Sequence, residues 1–306
     1  MATIGNAMPT QIYRRVIVVL VAAGALTACG GGGNRQSSPD QPFAYDASRQ
    51  LDLQTKQKSR EGGVELRDIS FKGAAGETIP AYLAVPRGKG PHPAVIYAHG
   101  SSGSRRDLLP SAVGLAQRGA VTLTLEMRYS AARGGTDSLP SGVQGLKTAT
   151  DNEIESVVEV RRAVDLLDSL SYVDRGRIGY VGWSAGARTG AIIAGVEHRI
   201  QTFDLLAGGA LPVSTYVANS PADTRPELED LLDKTDPLRY VADAAPSTLL
   251  FQDGRHDEVV PRKALVGLVR SASNPKEVRW YDSGHVPSTK AWVDSRRWLT
   301  DRLGLT

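Results

Sequence analysis

From Val64 onward, short apolar runs of strand length alternate with longer segments in which apolar residues recur at helical spacing. The runs at 93–98 (PAVIYA) and 121–125 (VTLTL) are nearly continuous, which is typical of strands buried on both faces of a sheet. Strands that alternate with helices at this spacing indicate an α/β fold. We therefore predict a mostly parallel central sheet with helices on both faces, within a single domain over residues 64–306.

The predicted elements follow one another without an internal repeat. The strands are predicted at 64–71, 79–85, 93–98, 121–125, 177–181, 202–206, 247–252 and 277–281. The helices are predicted at 107–118, 151–170, 185–196, 261–272 and 288–303. The first two strands are expected to form an antiparallel hairpin. The stretch 208–245 is longer than a standard connection and holds one short helix near 226–234, so it is a candidate partial cap over a site.

The N-terminal segment has the pattern of a targeting signal. Arg14 and Arg15 precede an uncharged apolar run at 16–26, which is too short for a comfortable permanent membrane span but suits a signal-peptide core. The run ends in Leu-Thr-Ala-Cys, and Cys29 is the only cysteine of the chain. This ending resembles the processing site of bacterial lipoproteins; an ordinary secretory peptide with an incidental cysteine is the alternative.

The lipoprotein resemblance implies removal of residues 1–28 and acylation of Cys29. The protein would then be exported and anchored to a membrane through several acyl chains, which hold more stably than one. Gly30, rather than an aspartate, follows the cysteine, a pattern that resembles lipoproteins sent to the outer membrane of Gram-negative cells. Residues 29–63 are rich in Gly, Gln and Ser and lack a sustained apolar period, so we expect a flexible tether.

Charge and cysteine content narrow the function classes. The chain of 306 residues has 36 Lys and Arg against 33 Asp and Glu, and loss of Arg14 and Arg15 leaves 34 against 33. A nearly neutral body argues against non-specific nucleic-acid binding. One cysteine excludes an intramolecular disulfide and a cysteine zinc site. No metal and no organic cofactor is expected.

The sequence Gly-Trp-Ser-Ala-Gly at 182–186 follows a predicted strand and opens a predicted helix. This is the context in which G-x-S-x-G forms a nucleophile elbow, with the serine hydroxyl exposed on a tight strand-to-helix turn. Bulky side chains in place of the glycines would clash in such a turn. Ser184 is therefore the candidate nucleophile.

A serine nucleophile needs a base, and five histidines are available. His92 lies between two prolines, His198 lies at a helix end, and His256 directly precedes an acid. His99 belongs to the loop His-Gly-Ser-Ser-Gly at 99–103. His285 lies in a loop after a strand and before the last helix, which makes it the candidate base.

The orienting acid is expected between the serine and the histidine in chain order. Asp257 lies in the loop after the strand at 247–252 and is the first candidate. Asp253 is its rival, although it opens an Asp-Gly turn in which an aspartate usually caps its own backbone. Glu258 is adjacent to Asp257 and is expected to point elsewhere.

Two further groups are expected near the reaction centre. The loop His-Gly-Ser-Ser-Gly at 99–103 ends a strand and would supply one oxyanion-hole N–H, from Ser101 or alternatively Ser102, while Ala185 would supply the second. Arg128 and Arg133 follow another strand, where they could bind a substrate carboxylate or only pair with a loop carboxylate.

These motifs together resemble the α/β-hydrolase superfamily over about residues 64–303, and more closely its dienelactone-hydrolase and prolyl-oligopeptidase-type branches. Ser184 departs from the cysteine nucleophile of dienelactone hydrolases, and the residues before the first strand are too few for the propeller of prolyl-oligopeptidase relatives. The resemblance implies a serine hydrolase that cleaves small-molecule carboxylic esters through an acyl-enzyme. A serine peptidase acting on short peptides is the alternative, and a non-enzymatic binding lipoprotein of the same fold is the third possibility.

Overall fold

The computed structural model describes residues 41–135, 142–210, 217–218 and 220–305. The predicted signal peptide, the lipidation site Cys29 and the tether up to residue 40 lie outside the described residues, as do 211–216 and 219 of the predicted cap. Among the residues that the structure does describe, no helix is long and apolar enough to span a membrane.

The described residues form one nine-stranded sheet of order β1-β2-β3-β5-β4-β6-β7-β8-β9. The strands are β1 (Gln54–Glu61), β2 (Val64–Lys72), β3 (Thr78–Val85), β4 (His92–Ala98), β5 (Val121–Leu125), β6 (Val173–Trp183), β7 (Ile200–Leu206), β8 (Thr248–Gly254) and β9 (Lys276–Tyr281). The first three strands run antiparallel and the remaining six run parallel to one another. The predicted hairpin and mostly parallel sheet are confirmed.

Helices cover both faces of this sheet. They are α1 (Leu109–Ala116), α2 (Gly142–Ser169), α3 (Ala185–Val196), α4 (Arg225–Asp233), α5 (Pro237–Tyr240), α6 (Arg262–Ser271) and α7 (Thr289–Leu303). Apolar residues of α2, α3 and α6 pack into one large core cluster, and those of α1 and α7 pack into a second. β4 and β5 lie between the two clusters with almost every residue buried, as expected for central strands.

The tether predicted over residues 29–63 ends earlier than expected. Gln54–Glu61 forms the edge strand β1, paired antiparallel with β2. Upstream of it, Phe43 is fully buried, and its ring meets that of Tyr240 edge-on at 5.2 Å between centroids. Every residue of β1 is polar or charged. An edge strand is held by backbone pairing with its neighbour, and charged side chains protect it from aggregation. It therefore lacks the apolar alternation that identifies a strand in a sequence.

α2 begins nine residues before its predicted start, at Gly142 instead of 151. Its first turns carry glycine and threonine, which have low intrinsic helix propensity. Tertiary packing compensates, because Leu146 is buried against Leu228 and Leu232 of α4. The described part of the predicted cap thus packs on the N-terminal turns of α2; its role as a cap stays a prediction.

Candidate active site

Ser184 lies between the end of β6 and the start of α3, at the carboxyl edge of the parallel strands. Its φ of 56° and ψ of −114° are strained for a residue with a side chain, and its N–H donates to the Leu206 carbonyl at 2.8 Å. A Cβ at Gly182 would lie 2.3 Å from the Gly186 carbonyl oxygen, and one at Gly186 would lie 2.3 Å from that of Ala98. Both glycines of the motif are therefore required by close backbone approach.

His285 bridges the other two predicted residues. Its Nε2 lies 2.9 Å from Ser184 Oγ, and its Nδ1 lies 2.9 Å from Asp257 Oδ2. The backbone N–H groups of Val259 and Val260 donate to Asp257 Oδ1 at 2.9 and 2.8 Å. The side chains of His285 and Asp257 are 6% and 1% exposed, so the chain of hydrogen bonds is shielded from water.

The structure brings Asp257, and not Asp253, against His285. Asp253 is buried at the end of β8, and neither of its carboxylate oxygens has a hydrogen-bond partner among the described residues. Burial, reinforced by the negative charge of Asp257, raises the pKa of Asp253 to about 7, although Arg262 opposes this. A carboxyl group in this environment is neutral over much of the acid range and cannot replace Asp257 without a change of geometry.

The remaining histidines lie elsewhere. His92 begins β4, and His198 lies in the turn after α3. His256 is exposed, and its Nε2 lies 2.7 Å from Oδ1 of Asp282. The imidazole that contacts Ser184 Oγ is that of His285, and not that of any of these three residues.

His99 holds the Gly-Ser loop in place from inside the protein. Its Nδ1 lies 2.7 Å from the carbonyl oxygen of Gly100, and its Nε2 lies 3.1 Å from the backbone nitrogen of Met127, which donates. Nδ1 therefore carries the proton. Burial lowers the pKa of His99, in keeping with a neutral imidazole. Tyr129 adds a hydrogen bond from its hydroxyl to the His99 carbonyl at 2.9 Å.

The backbone around this loop orients the N–H of Ser101. The Gly100 carbonyl accepts from His99 and also from the N–H of Gly103 at 3.2 Å. Since a trans peptide places N–H and C=O on opposite sides, the Ser101 N–H points away from His99. On the other side of Ser184, Ala185 is the first residue of α3, so its N–H has no intrahelical acceptor. Ser102, the alternative donor on the same loop, has the left-handed backbone conformation, with a φ of 51°.

Trp183 is the neighbour of Ser184 that sequence reasoning missed. Its indole Nε1–H donates to the backbone carbonyl of His285 at 3.3 Å, and the two rings lie 6.1 Å apart between centroids. The residue occupies the first variable position of G-x-S-x-G. Its aromatic character was the only available signal, and that signal is equally typical of core packing.

Arg128 and Arg133, the two candidate substrate-binding residues, each pair with a carboxylate that α2 supplies. Arg133 makes a bidentate pair with Glu159 at 2.6 Å for both contacts, and its side chain is 13% exposed. Arg128 Nε lies 2.6 Å from Glu155 Oε2 at a more exposed position. Both guanidinium groups are thus engaged within the fold, which favours the alternative in which they only secure the loop.

We expect Arg133→Ala to lower the free energy of unfolding by about 3–5 kcal/mol, because it leaves Glu159 buried without its partner. Arg128→Ala breaks an exposed pair and should cost about 1 kcal/mol or less. Denaturant unfolding measures both. In steady-state kinetics, each variant should affect a neutral ester and its carboxylate-bearing analogue equally; a selective rise in KM for the charged analogue would instead support the substrate-binding role.

No group of three or more His, Cys, Asp or Glu able to hold a metal ion occurs within the described ranges.

Residues 44–206, more than half of the chain, match the family model of acetyl xylan esterase (AXE1). The chain belongs to the acetyl xylan esterase family. The matched range includes β1 to β7 and Ser184, whereas Asp257 and His285 lie beyond it.

Solved structures agree with this family in fold. The acetyl xylan esterase from Paenibacillus sp. R4 is 20% identical over 87% of this chain and 93% of its own, with a TM-score of 0.73. Acetyl xylan esterase 1 from Thermoanaerobacterium sp. JW/SL YS485 is 19% identical over 86% of this chain and 92% of its own, with a TM-score of 0.69. A cold-adapted esterase from an Arctic intertidal metagenomic library is 17% identical over 81% and 97%, with a TM-score of 0.62.

The predicted α/β-hydrolase fold is therefore confirmed, and this member of the acetyl xylan esterase family is a carboxylic ester hydrolase. The comparisons favour ester over peptide substrates. The closer resemblance to dienelactone hydrolases or prolyl oligopeptidases stays a prediction.

Proposed function

We propose that this protein hydrolyses small carboxylic esters through Ser184, His285 and Asp257, by way of an acyl-enzyme. The observation that carries the proposal is the position of His285, with Nε2 at 2.9 Å from the serine hydroxyl and Nδ1 at 2.9 Å from the aspartate. In that position one imidazole can accept the serine proton while its other nitrogen stays bonded to a carboxylate.

In the first half-reaction, Ser184 Oγ attacks the acyl carbon as its proton passes to His285 Nε2. Asp257 stabilises the imidazolium and, by accepting the hydrogen bond from Nδ1–H, holds the neutral imidazole in the tautomer with its proton on Nδ1. The imidazolium then protonates the leaving alcohol, and an ester to Ser184 remains. In the second half-reaction, His285 Nε2 takes a proton from water as the water oxygen attacks the acyl carbon. The imidazolium then returns that proton to Ser184 Oγ as the bond between Oγ and the acyl carbon breaks, and the carboxylic acid is released.

The negative charge that develops on the carbonyl oxygen needs donors. We assign the N–H groups of Ser101 and Ala185, since the loop peptide turns the first away from His99 and the helix start leaves the second unpaired. The N-terminal end of α3 adds a favourable dipole at the same place. Loss of one such donor typically reduces kcat by about 10²–10³-fold.

Acetyl esters of carbohydrates are the proposed substrate class, supported by the family match and by the two acetyl xylan esterases of the same fold. A series of 4-nitrophenyl esters with acyl groups of two to eight carbons tests the acyl side, and acetylated xylo-oligosaccharides test the alcohol side. Preference for acetate, together with acetate release from the oligosaccharides, would support the class. Preference for long acyl chains, or for a chromogenic peptide over every ester, would contradict it.

For localisation, we propose an exported lipoprotein anchored through Cys29, in the outer membrane if the cell is Gram-negative; its support is the sequence pattern alone. Cys29→Ser removes the thiol that would be diacylated. The variant should therefore lose metabolic labelling with palmitate and leave the detergent phase on Triton X-114 partitioning. Unchanged lipid labelling of the Cys29→Ser protein would rule out this anchor.

A further inference from the structure

Trp183 lies between the two loops that flank Ser184. It is the last residue of β6, it is 8% exposed, and its ring belongs to the apolar cluster on the α1 and α7 face of the sheet. From there its Nε1–H reaches the carbonyl oxygen of His285 at 3.3 Å. The indole and imidazole planes are tilted by 36°, with 6.1 Å between centroids.

The six-membered part of the same indole faces the oxyanion loop. A Cβ built on Gly100 would lie 3.6 Å from Cε3 of Trp183 and 3.4 Å from Cβ of Ser184. The Gly100 backbone therefore packs directly beside both residues. One rigid side chain thus contacts the loop proposed to bind the oxyanion and the loop that carries the proposed base.

The loop with His285 needs such a contact, because it belongs to neither a helix nor a strand. The chain that leads into it is fixed by two backbone hydrogen bonds: Arg255 N–H donates to the carbonyl of Tyr281, the last residue of β9, at 2.8 Å, and His256 N–H donates to that of Ser283 at 3.0 Å. These bonds end two residues before His285. The indole N–H reaches the main chain of His285 itself, so it limits rotation of the residue whose imidazole must reach both Ser184 and Asp257.

We propose that Trp183 is a positioning residue for ester hydrolysis, whose indole N–H holds the main chain of His285 so that Nε2 stays aligned with Ser184. This inference rests on the proposed function. Trp183 is expected to act on kcat and on the reactivity of the serine, and to leave substrate binding largely unchanged. A tryptophan that only fills the core would affect stability alone.

The chain offers a matched control in Trp298. This second buried tryptophan lies on α7 in the same apolar cluster, and its Nε1–H donates to Oγ1 of Thr202 at 2.9 Å. Trp183→Phe and Trp298→Phe each remove one buried indole N–H and part of one ring. Only the first substitution removes a hydrogen bond to His285.

The experiment measures kcat and KM for 4-nitrophenyl acetate, the rate of inactivation by a fluorophosphonate, and the melting temperature. Trp183→Phe should lower kcat and the inactivation rate about tenfold, in line with a factor of ten for a hydrogen bond worth about 1.4 kcal/mol, with KM within about twofold. Trp298→Phe should lower the melting temperature about as much as Trp183→Phe does, while its kcat stays within about twofold of the wild-type value. Replacement of Trp183 by benzothienylalanine, in which sulfur replaces the N–H, should reproduce the loss of kcat without a change of ring shape.

Equal kcat values for the two Phe variants, or full activity of the benzothienylalanine protein, would overturn the positioning role. Because the sulfur analogue keeps the shape of the ring, it gives the decisive comparison if Trp183→Phe does not fold. Ser184→Ala, measured alongside, distinguishes failure of the proposed function from failure of the role of Trp183. If Ser184→Ala keeps its activity, the proposed function fails; if it is inactive while the Trp183 proteins match the control, only the role of Trp183 fails.

Discussion

Ser184→Ala and His285→Ala should each reduce kcat for 4-nitrophenyl acetate by about 10⁴–10⁶-fold, as expected when one member of a nucleophile–base unit is removed. Without Oγ there is no attacking atom, and without the imidazole the serine proton loses the acceptor that lies 2.9 Å from Oγ. Because the residues act as a unit, the double variant should be little worse than either single one.

Both proteins should remain folded, which circular dichroism and the melting temperature can verify. Ser184→Ala removes one oxygen from a half-buried turn and keeps the backbone that forms the elbow. A matched control is His256→Ala, which removes an exposed histidine from the same edge of the molecule and should leave kcat within about twofold. Substantial ester hydrolysis by a folded Ser184→Ala protein would show that another residue carries the reaction.

Asp257→Asn should lower kcat by about 10³–10⁴-fold, whereas Asp253→Asn should lower it less than tenfold. The amide keeps the size of Asp257 but presents an N–H where His285 Nδ1–H needs an acceptor, so the wrong tautomer is favoured. Asp253 makes no hydrogen bond to His285, and it lies only four residues away on the same loop and strand end. The pair of variants therefore separates the proposed acid from its sequence rival under identical assay conditions. Near-normal activity of Asp257→Asn, with a severe loss in Asp253→Asn, would reverse the assignment.

Asp253 should make the free energy of unfolding depend on pH. Burial raises its pKa to about 7, well above the value of 3.8 for an unperturbed aspartate, so the folded state binds the proton more tightly than the unfolded state. Stability should then fall as pH rises from about 4 to above 7, with the full cost present above the folded pKa. The free energy of unfolding of Asp253→Asn minus that of the wild type should therefore increase by about 1–4 kcal/mol between pH 4 and pH 8. A difference that does not change with pH would show that Asp253 is ionised throughout.

Local sequence patterns predicted the bounds of a central strand and of the helix that follows the nucleophile turn. The strand at 121–125 and the helix at 185–196 have the bounds predicted from sequence, because complete burial requires apolar residues and the elbow fixes where the helix begins. The three residues brought together at the site were also identifiable. Each belongs to a short motif at the carboxyl end of a strand, where the parallel topology gathers loops at one edge.

Features held by long-range contacts were not identifiable. β1 owes its conformation to pairing with β2, and the burial of Phe43 depends on Tyr240, nearly 200 positions away in the chain. The pairing of Arg133 with Glu159 likewise depends on how α2 packs beside the loop after β5. Trp183 shows the same limit at the site itself, since its link to His285 joins residues 102 positions apart.

Covalent labelling that locates the nucleophile tests the proposed mechanism most directly. A fluorophosphonate should add once per molecule, and peptide mass mapping should place the adduct on Ser184, in the sequence Gly-Trp-Ser-Ala-Gly. Loss of ester hydrolysis should follow labelling mole for mole, and Ser184→Ala should remain unlabelled. An adduct on a different residue, or full hydrolytic activity in a protein labelled at Ser184, would contradict the proposed mechanism.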